Sequence, residues 1–79
     1  MEIDPRKVDD ATLALLHLTL HEGNRVWKTL DWEAMNRLHD RGLILDPVNH
    51  TKSVVLTEEG LRLSEQLARQ LFGRQPKIE

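Results

Sequence analysis

The stretch from residue 31 to residue 72 constrains the fold most, because it carries two sets of helix signals. Asp31 can accept hydrogen bonds from the free amides of a helix that begins directly after it, and Gly42 supplies the left-handed residue that ends that helix. Thr57 repeats the capping signal, and two glutamates follow it in the positively polarised first turn. We therefore expect a helix of about three turns and then a longer one.

Two short apolar runs lie between these helices. Residues 43–45 read LIL and residues 53–56 read SVVL, and the segment between them, DPVNHTK, is rich in residues that favour turns. This pattern predicts a two-stranded hairpin. With the helices, it predicts a mainly α fold with a small β-hairpin, of the α+β class.

The N-terminal segment predicts a helix with two apolar faces. Asp4 followed by Pro5 is a capped helix start, and we expect the helix to run to about His21, before Gly23 and Asn24 stop it. One face comprises Val8, Ala11, Ala14, Leu15 and Leu18, and the other comprises Leu13, Leu16 and Leu20. The apolar side of the last helix comprises Ser64, Leu67, Ala68, Leu71 and Phe72.

A helix that is apolar on two sides needs cover on both. We therefore expect a homodimer, with the first and last helices at its seam. The alternative is that these two helices sandwich each other within one chain.

Length and composition set further bounds. A chain of 79 residues makes one domain at most, which we place at residues 1–73, with a flexible tail at residues 74–79. The chain has no cysteine, so it has neither disulfides nor thiolate metal sites. No apolar run approaches the ~20 residues of a membrane span, and the N-terminal MEIDP is acidic. We expect a cytoplasmic protein without membrane contact.

Residues 24–30 fit either a short helical turn or a loop. They contain Trp27, and Trp32 follows shortly after. Tryptophans of small domains are mostly part of the core, and we expect that role for both. The alternatives are stacking on a base or anchoring an interface.

Several of these segments resemble known families. A helix that ends in a glycine, the GLI that leads into a hairpin and the LTEEG that opens the last helix together resemble the winged-helix module of many bacterial regulators. Over its whole length, with the segments HEGNRVWK and SVVLTEEG, the chain also resembles a small family of bacterial proteins without an assigned function. The first resemblance implies the order helix, short turn, helix, two-stranded hairpin or wing, helix.

The winged-helix resemblance also implies DNA binding. If the helix after Asp31 entered a major groove, its exposed side chains and the wing would contact bases and phosphates. The candidates are Arg25, Lys28, Asn36, Arg37, Arg41, Asn49, His50 and Lys52. Glu33 and Asp40 share the same helix face, and Glu33 can pair with Arg37 at spacing i,i+4. With a formal net charge of −2, the basic footprint of a DNA-binding protein is faint.

The second functional hypothesis is a protein-interaction module that keeps the winged-helix shape without a nucleic-acid surface. The acidic balance favours it, and so does the shortened second helix, since a winged-helix protein normally has a full helix where residues 24–30 lie. Its candidate interface residues are Leu13, Leu16, Leu20, Trp27 and Trp32.

Catalytic and metal chemistry find little support in the sequence. There is no nucleophile elbow and no phosphate-binding glycine loop, and the carboxylates fall mostly on exposed helix faces. We therefore expect no enzyme activity and no cofactor. His17 and His21 have the i,i+4 spacing of two metal-binding imidazoles, but no third ligand is evident, so we expect no metal site.

Overall fold

Three helices and a small sheet form the fold of this computed structural model, which describes residues 1–28, 31–48 and 52–74. The helices and strands, in chain order, are α1 (Pro5–His17), β1 (Arg25–Trp27), α2 (Trp32–Asp40), β2 (Ser53–Val55) and α3 (Glu58–Phe72). The two strands pair antiparallel. The predicted class, mainly α with a small antiparallel β element, is confirmed.

The helix starts lie where the capping residues predict them. The Asp4 carboxylate accepts a hydrogen bond from the Arg6 amide at 2.9 Å. The Asp31 carboxylate accepts one from the Ala34 amide at 3.1 Å. Each bond satisfies an amide that has no partner inside its helix, which is why these side chains set the first helical residue.

The helix α1 ends at His17 and not near His21 as predicted. The next three amides bond only three residues back, and this tightens the chain into a turn. Glu22 and Gly23 then adopt positive φ angles of 50° and 86°, so that His21 and Arg25 exchange both backbone hydrogen bonds, at 2.8 and 3.0 Å. This reversal starts β1 at Arg25. The prediction of a helical turn or loop for residues 24–30 was therefore wrong for its described part, while Thr29 and Leu30 lie outside the described residues.

The strand β2 has hydrogen-bonded neighbours on both sides. Its regular partner is β1, with Val26 opposite Val54 and Trp27 opposite Ser53. On the other side the Leu45 amide donates to the Val55 carbonyl at 2.9 Å, beside a single bridge between residues 44 and 56. The predicted pairing of 43–45 with 53–56 is thus present as an isolated bridge, and the two-stranded ladder uses β1 instead. Sequence reasoning missed β1 because the residue that starts it is fixed by a tight turn.

The core lies where α1 packs chiefly against α3 and also against α2. Its buried apolar residues are Leu13, Ala14, Leu16, Val26, Ala34, Met35, Leu38, Leu43, Ile44, Val54, Leu56, Leu67 and Ala68. This packing of α1 on α3 within one chain is the arrangement given above as the alternative to a homodimer seam. The homodimer itself stays a prediction. Leu71 and Phe72, predicted on the buried side of α3, are about half exposed because they lie in its last turn.

One junction joins the end of α2 to the start of α3. The Thr57 hydroxyl donates to the Gly42 carbonyl at 2.7 Å and accepts from the Gly60 amide at 3.0 Å. The Thr57 amide donates to the Leu43 carbonyl at 3.0 Å. Gly60 lies against the same carbonyl, and a Cβ at this position would overlap the Leu43 oxygen. The absence of a side chain at Gly60 is therefore what lets the two segments approach.

We predict that Gly60→Ala destabilises the protein by about 3 kcal/mol, because the added methyl group pushes the Leu43 backbone away. The sign is informative, since alanine in place of glycine inside an unobstructed helix would stabilise it by up to about 1 kcal/mol. Urea denaturation followed by circular dichroism measures the change. Gly23→Asn is the control: a Cβ there meets nothing within 4 Å and asparagine tolerates a positive φ, so the loss stays below about 1 kcal/mol. Unchanged or higher stability of Gly60→Ala would contradict the close approach.

Candidate functional site

Arg37, a predicted DNA contact on α2, is held by a carboxylate of α1. Its Nε lies 2.9 Å from both oxygens of Asp9, and its Nη2 lies 2.8 Å from Oδ1. Asp9 is only 3% exposed, so the pair connects the two helices at the edge of the core. The hydrogen bonds that Arg37 donates to Asp9 raise the pKa of its guanidinium, and the charge of Asp9 adds to this effect. The hydrogen bonds of Arg37 thus go to Asp9 and not to Glu33, the partner predicted from the i,i+4 spacing.

The other two arginines of the predicted set also have partners. Arg41 Nη1 lies 3.8 Å from the carboxylate of Asp10, again on α1. Arg25 donates from Nε and Nη2 to the hydroxyl of Ser53, at 3.1 and 2.7 Å. Since Arg37 and Arg41 are both turned toward carboxylates, α2 does not offer them as a free pair of cations for a phosphate backbone.

Two lysines of the set lie side by side at the end of the ladder. The Lys28 amide donates to the Lys52 carbonyl at 2.9 Å, and the side chain of Lys52 is exposed. Asn36 is exposed on α2. Asn49 and His50 lie outside the described residues. The structure therefore brings Arg25, Lys28 and Lys52 together around the sheet and leaves Arg37 and Arg41 at the contact between α1 and α2.

The two tryptophans lie on the surface, and the expectation that they belong to the core was wrong. Trp27 is 51% exposed and Trp32 is 55% exposed. The alternation of side chains along β1 explains the first: Val26 points into the core, so Trp27 points outward. On that side the ring of His21 stacks on the ring of Trp27, with centroids 4.5 Å apart and planes inclined by 25°.

Lys28 lies against Trp32. It follows Trp27 in the chain, and its ammonium nitrogen lies 5.7 Å from the ring centroid of Trp32, within the range of a cation–π interaction. We call the group of His21, Trp27, Lys28 and Trp32 the aromatic patch. It combines two large half-exposed rings with a cation, and such groups occur in protein interfaces and in single-strand nucleic-acid sites.

The free edge of β1 is closed by the chain that precedes it. The backbone amide and carbonyl of Arg25 are both hydrogen-bonded to His21, and the Trp27 amide donates to the Thr19 hydroxyl at 2.9 Å. That hydroxyl in turn donates to the Leu16 carbonyl at 2.8 Å. A partner strand is therefore not expected to add at this edge, and contacts with the aromatic patch must come from side chains.

The leucines of the predicted interface divide into two groups. Leu13 and Leu16 are buried in the core of the single chain, because they lie on the side of α1 that packs inward. They are therefore not on the surface that a partner meets. Leu20 is on the boundary between half-buried and exposed and lies in the turn before β1.

His17 and His21 both have structural contacts. Ser64 donates its single hydroxyl proton to the Leu61 carbonyl at 2.8 Å, so the Nδ1 of His17, 2.9 Å away, is the donor in the bond between them. His21 donates from Nδ1 to the Thr19 carbonyl at 2.9 Å. Because α1 ends at His17, the helical spacing on which a shared metal depended does not exist. Within the described ranges no three metal-binding side chains form a group.

None of the described helices is both long and apolar enough to cross a membrane.

Comparison with known proteins places the chain in a family. Residues 4–74 match the family model described as Domain of unknown function (DUF6429). The chain belongs to this family. It is also 64% identical over 74 residues to "Uncharacterized protein y4hR" of Sinorhizobium fredii (strain NBRC 101917 / NGR234), a match that covers 94% of this chain and 100% of the relative. No solved structure matches the chain, so the resemblance to winged-helix proteins stays a prediction.

The contact that sequence reasoning missed is the ion pair of Asp9 with Arg37. The two residues are 28 positions apart, on different helices. The available signal was the position of Asp9, which precedes Leu13 by four residues and Leu16 by seven and therefore lies on the buried side of α1. An aspartate on such a face needs a buried partner.

We predict that Arg37→Gln destabilises the protein, because it leaves the buried carboxylate of Asp9 without a cation. The matched control is Arg69→Gln, which breaks an exposed i,i+4 pair with Glu65 and should change the unfolding free energy by less than about 0.5 kcal/mol. Urea denaturation measures the loss of unfolding free energy in both variants. The loss for Arg37→Gln should be several times the loss for Arg69→Gln. Equal stability of the two variants would show that Arg37 has no structural role.

Proposed function

We propose that this protein is a protein-interaction module and that the aromatic patch binds a partner segment rich in acidic residues. The observation that supports this proposal is the exposure of both tryptophans, at 51% and 55%, in a chain that has only one other aromatic residue of the Phe, Trp and Tyr types. Tryptophan contributes most to binding when a partner covers its ring, which is why it is common among the residues that dominate interface affinity.

The charges around the aromatic patch favour an acidic partner. Arg25 lies on the outward side of β1 with Trp27, and it donates to a neutral hydroxyl, so no carboxylate neutralises it in this contact. Lys28 lies over Trp32, and Lys52 is its neighbour across the ladder. Complementary charge on the partner would speed association and set its orientation.

Duplex DNA is a weaker candidate for the same reasons of charge. The cations that α2 could offer, Arg37 and Arg41, point to Asp9 and Asp10, while Glu33 and Asp40 are exposed on α2. Phosphate neutralisation supplies most of the affinity of nonspecific DNA binding. A helix whose Arg37 is held by Asp9 and whose acids are exposed does not provide it.

The test compares capture by variants of the immobilised protein in a lysate of the bacterium that encodes it. A protein retained by the wild type should be lost with Trp27→Ala combined with Trp32→Ala, because each truncation removes at least about 2 kcal/mol of binding free energy, or roughly 30-fold in Kd. The control combines Leu15→Ala with Leu18→Ala, which truncates one exposed leucine of α1 and one directly after it, and it should retain the partner.

The retained protein is then purified and titrated into the module alone. Because Trp27 and Trp32 are the only tryptophans, a change in their fluorescence reports directly on the patch when the partner has none. The affinity should fall with added salt if the partner contributes acidic residues. Retention by the double tryptophan variant, or loss of retention after nuclease treatment, would contradict the proposal, and the second result would indicate a nucleic-acid ligand.

A further inference from the structure

A cleft of about 340 Å³ lies on another part of the molecule, where the turn after α2 meets the N-terminal half of α3. Its lining residues are Arg41, Leu43, Glu59, Arg62, Leu63 and Gln66. The cleft is built on the junction described above, because the backbone of Leu43 is fixed by hydrogen bonding to Thr57. Its floor is therefore held in place by the fold.

Arg41 contributes a guanidinium with one unsatisfied donor. Its Nη1 is buried and has no hydrogen-bond acceptor within the described part of the chain. The Asp10 oxygen that pairs with it is 3.8 Å away, longer than the 2.7–3.2 Å range of a hydrogen bond. The Asp10 contact therefore does not fix this guanidinium, which can turn toward an acceptor in the cleft.

Arg62 contributes the second guanidinium, from α3. It lies 3.7 Å from Glu59 Oε1, also beyond hydrogen-bond distance, and both side chains are largely exposed. Exposed pairs of this kind contribute little stability, so a ligand can replace the contact at small cost. The cleft thus presents two guanidinium groups whose ion-pair contacts, at 3.8 and 3.7 Å, are both long.

The charge and the lining select the class of ligand. Two arginines against one glutamate leave the lining with a formal excess of one positive charge. Guanidinium groups bind carboxylates through two parallel hydrogen bonds, and Gln66 adds an amide donor. Leu43 and Leu63 provide apolar surface next to them. We propose that this cleft binds a monocarboxylate that carries a short apolar group.

A neighbouring cleft on the other side of Arg41 has the same formal excess of one positive charge, but one of its three arginines is already paired. It has about 310 Å³ and is lined by Pro5, Arg6, Asp9, Arg37, Asp40 and Arg41. There the Asp9 carboxylate already occupies the Arg37 guanidinium, and Asp40 adds a second negative charge. An anion is therefore expected to prefer the cleft at Arg62.

The proposal is tested by amide NMR titrations with butyrate at neutral pH. Saturable shifts at the amides of Leu43, Arg62, Leu63 and Gln66 are expected, with a Kd on the order of 1 mM for so small a ligand. Butyramide has the same apolar group without the charge and should cause none of these shifts. Absence of saturation with butyrate, equal shifts with butyramide, or tighter binding of inorganic phosphate would overturn the proposal.

Matched variants on α3 locate the site. Arg62→Gln removes one guanidinium from an exposed position and should raise the Kd for butyrate about tenfold, while the protein stays folded. Arg69→Gln removes an equally exposed arginine of the same helix that does not line the cleft, and it should leave the Kd unchanged. Equal effects of the two variants would indicate general charge attraction and would overturn the site.

Such a carboxylate has two sources, a small organic acid and the C-terminus of a protein. Titration with a short apolar peptide, with either a free or an amidated C-terminus, distinguishes them. Tighter binding of the free peptide than of butyrate supports the site as a receptor for a protein C-terminus. Equal binding of the two carboxylates supports a small organic acid as its ligand. Equal binding of the free and amidated peptides would overturn the proposal, because the carboxylate would then contribute nothing.

Discussion

The structure depends on the close contact between Gly60 and the carbonyl of Leu43. Because α3 approaches that carbonyl without a side chain in between, Thr57 can cap α3 with one lone pair and hold the end of α2 with its hydroxyl proton. The same residue therefore joins the end of α2 to the start of α3. In a chain of this length one such junction has a large share in the fold.

The position of the aromatic patch follows from this junction. It places β2 directly before α3, and β2 takes β1 as its regular partner. Val26 and Val54 then face each other in the core, and strict alternation along the strand turns Trp27 to the outside. The exposure of this ring is thus a consequence of register. A shift by one residue would bury the tryptophan and expose the valine, which the core could not accommodate.

Local signals predicted what is decided locally. The caps at Asp31 and Thr57 and the glycine after α2 act over three or four residues, and the helices begin and end there as expected. The end of α1 and the start of β1 were not predictable in this way, because they depend on the positive φ angles of Glu22 and Gly23 and on the Thr19 hydroxyl, which bonds both the Leu16 carbonyl and the Trp27 amide. The ion pair of Asp9 with Arg37 joins residues on two helices. Because of this pair, Arg37 is not a free cation of the candidate DNA surface. Its arginines had been assigned from one helix face without knowledge of the neighbouring helix.

This difference separates residues that the fold requires from residues that it does not. A buried carboxylate at Asp9 is tolerated only with a cation beside it, so the fold itself explains Arg37. No comparable requirement applies to Trp27. Its amide donates to Thr19, which any residue except proline could do, and its ring stacks on His21 while half of it stays in water. A smaller residue would satisfy the same strand. A large, half-exposed ring that the fold does not need supports the proposal that a partner covers it, on a surface formed by the sheet and the start of α2.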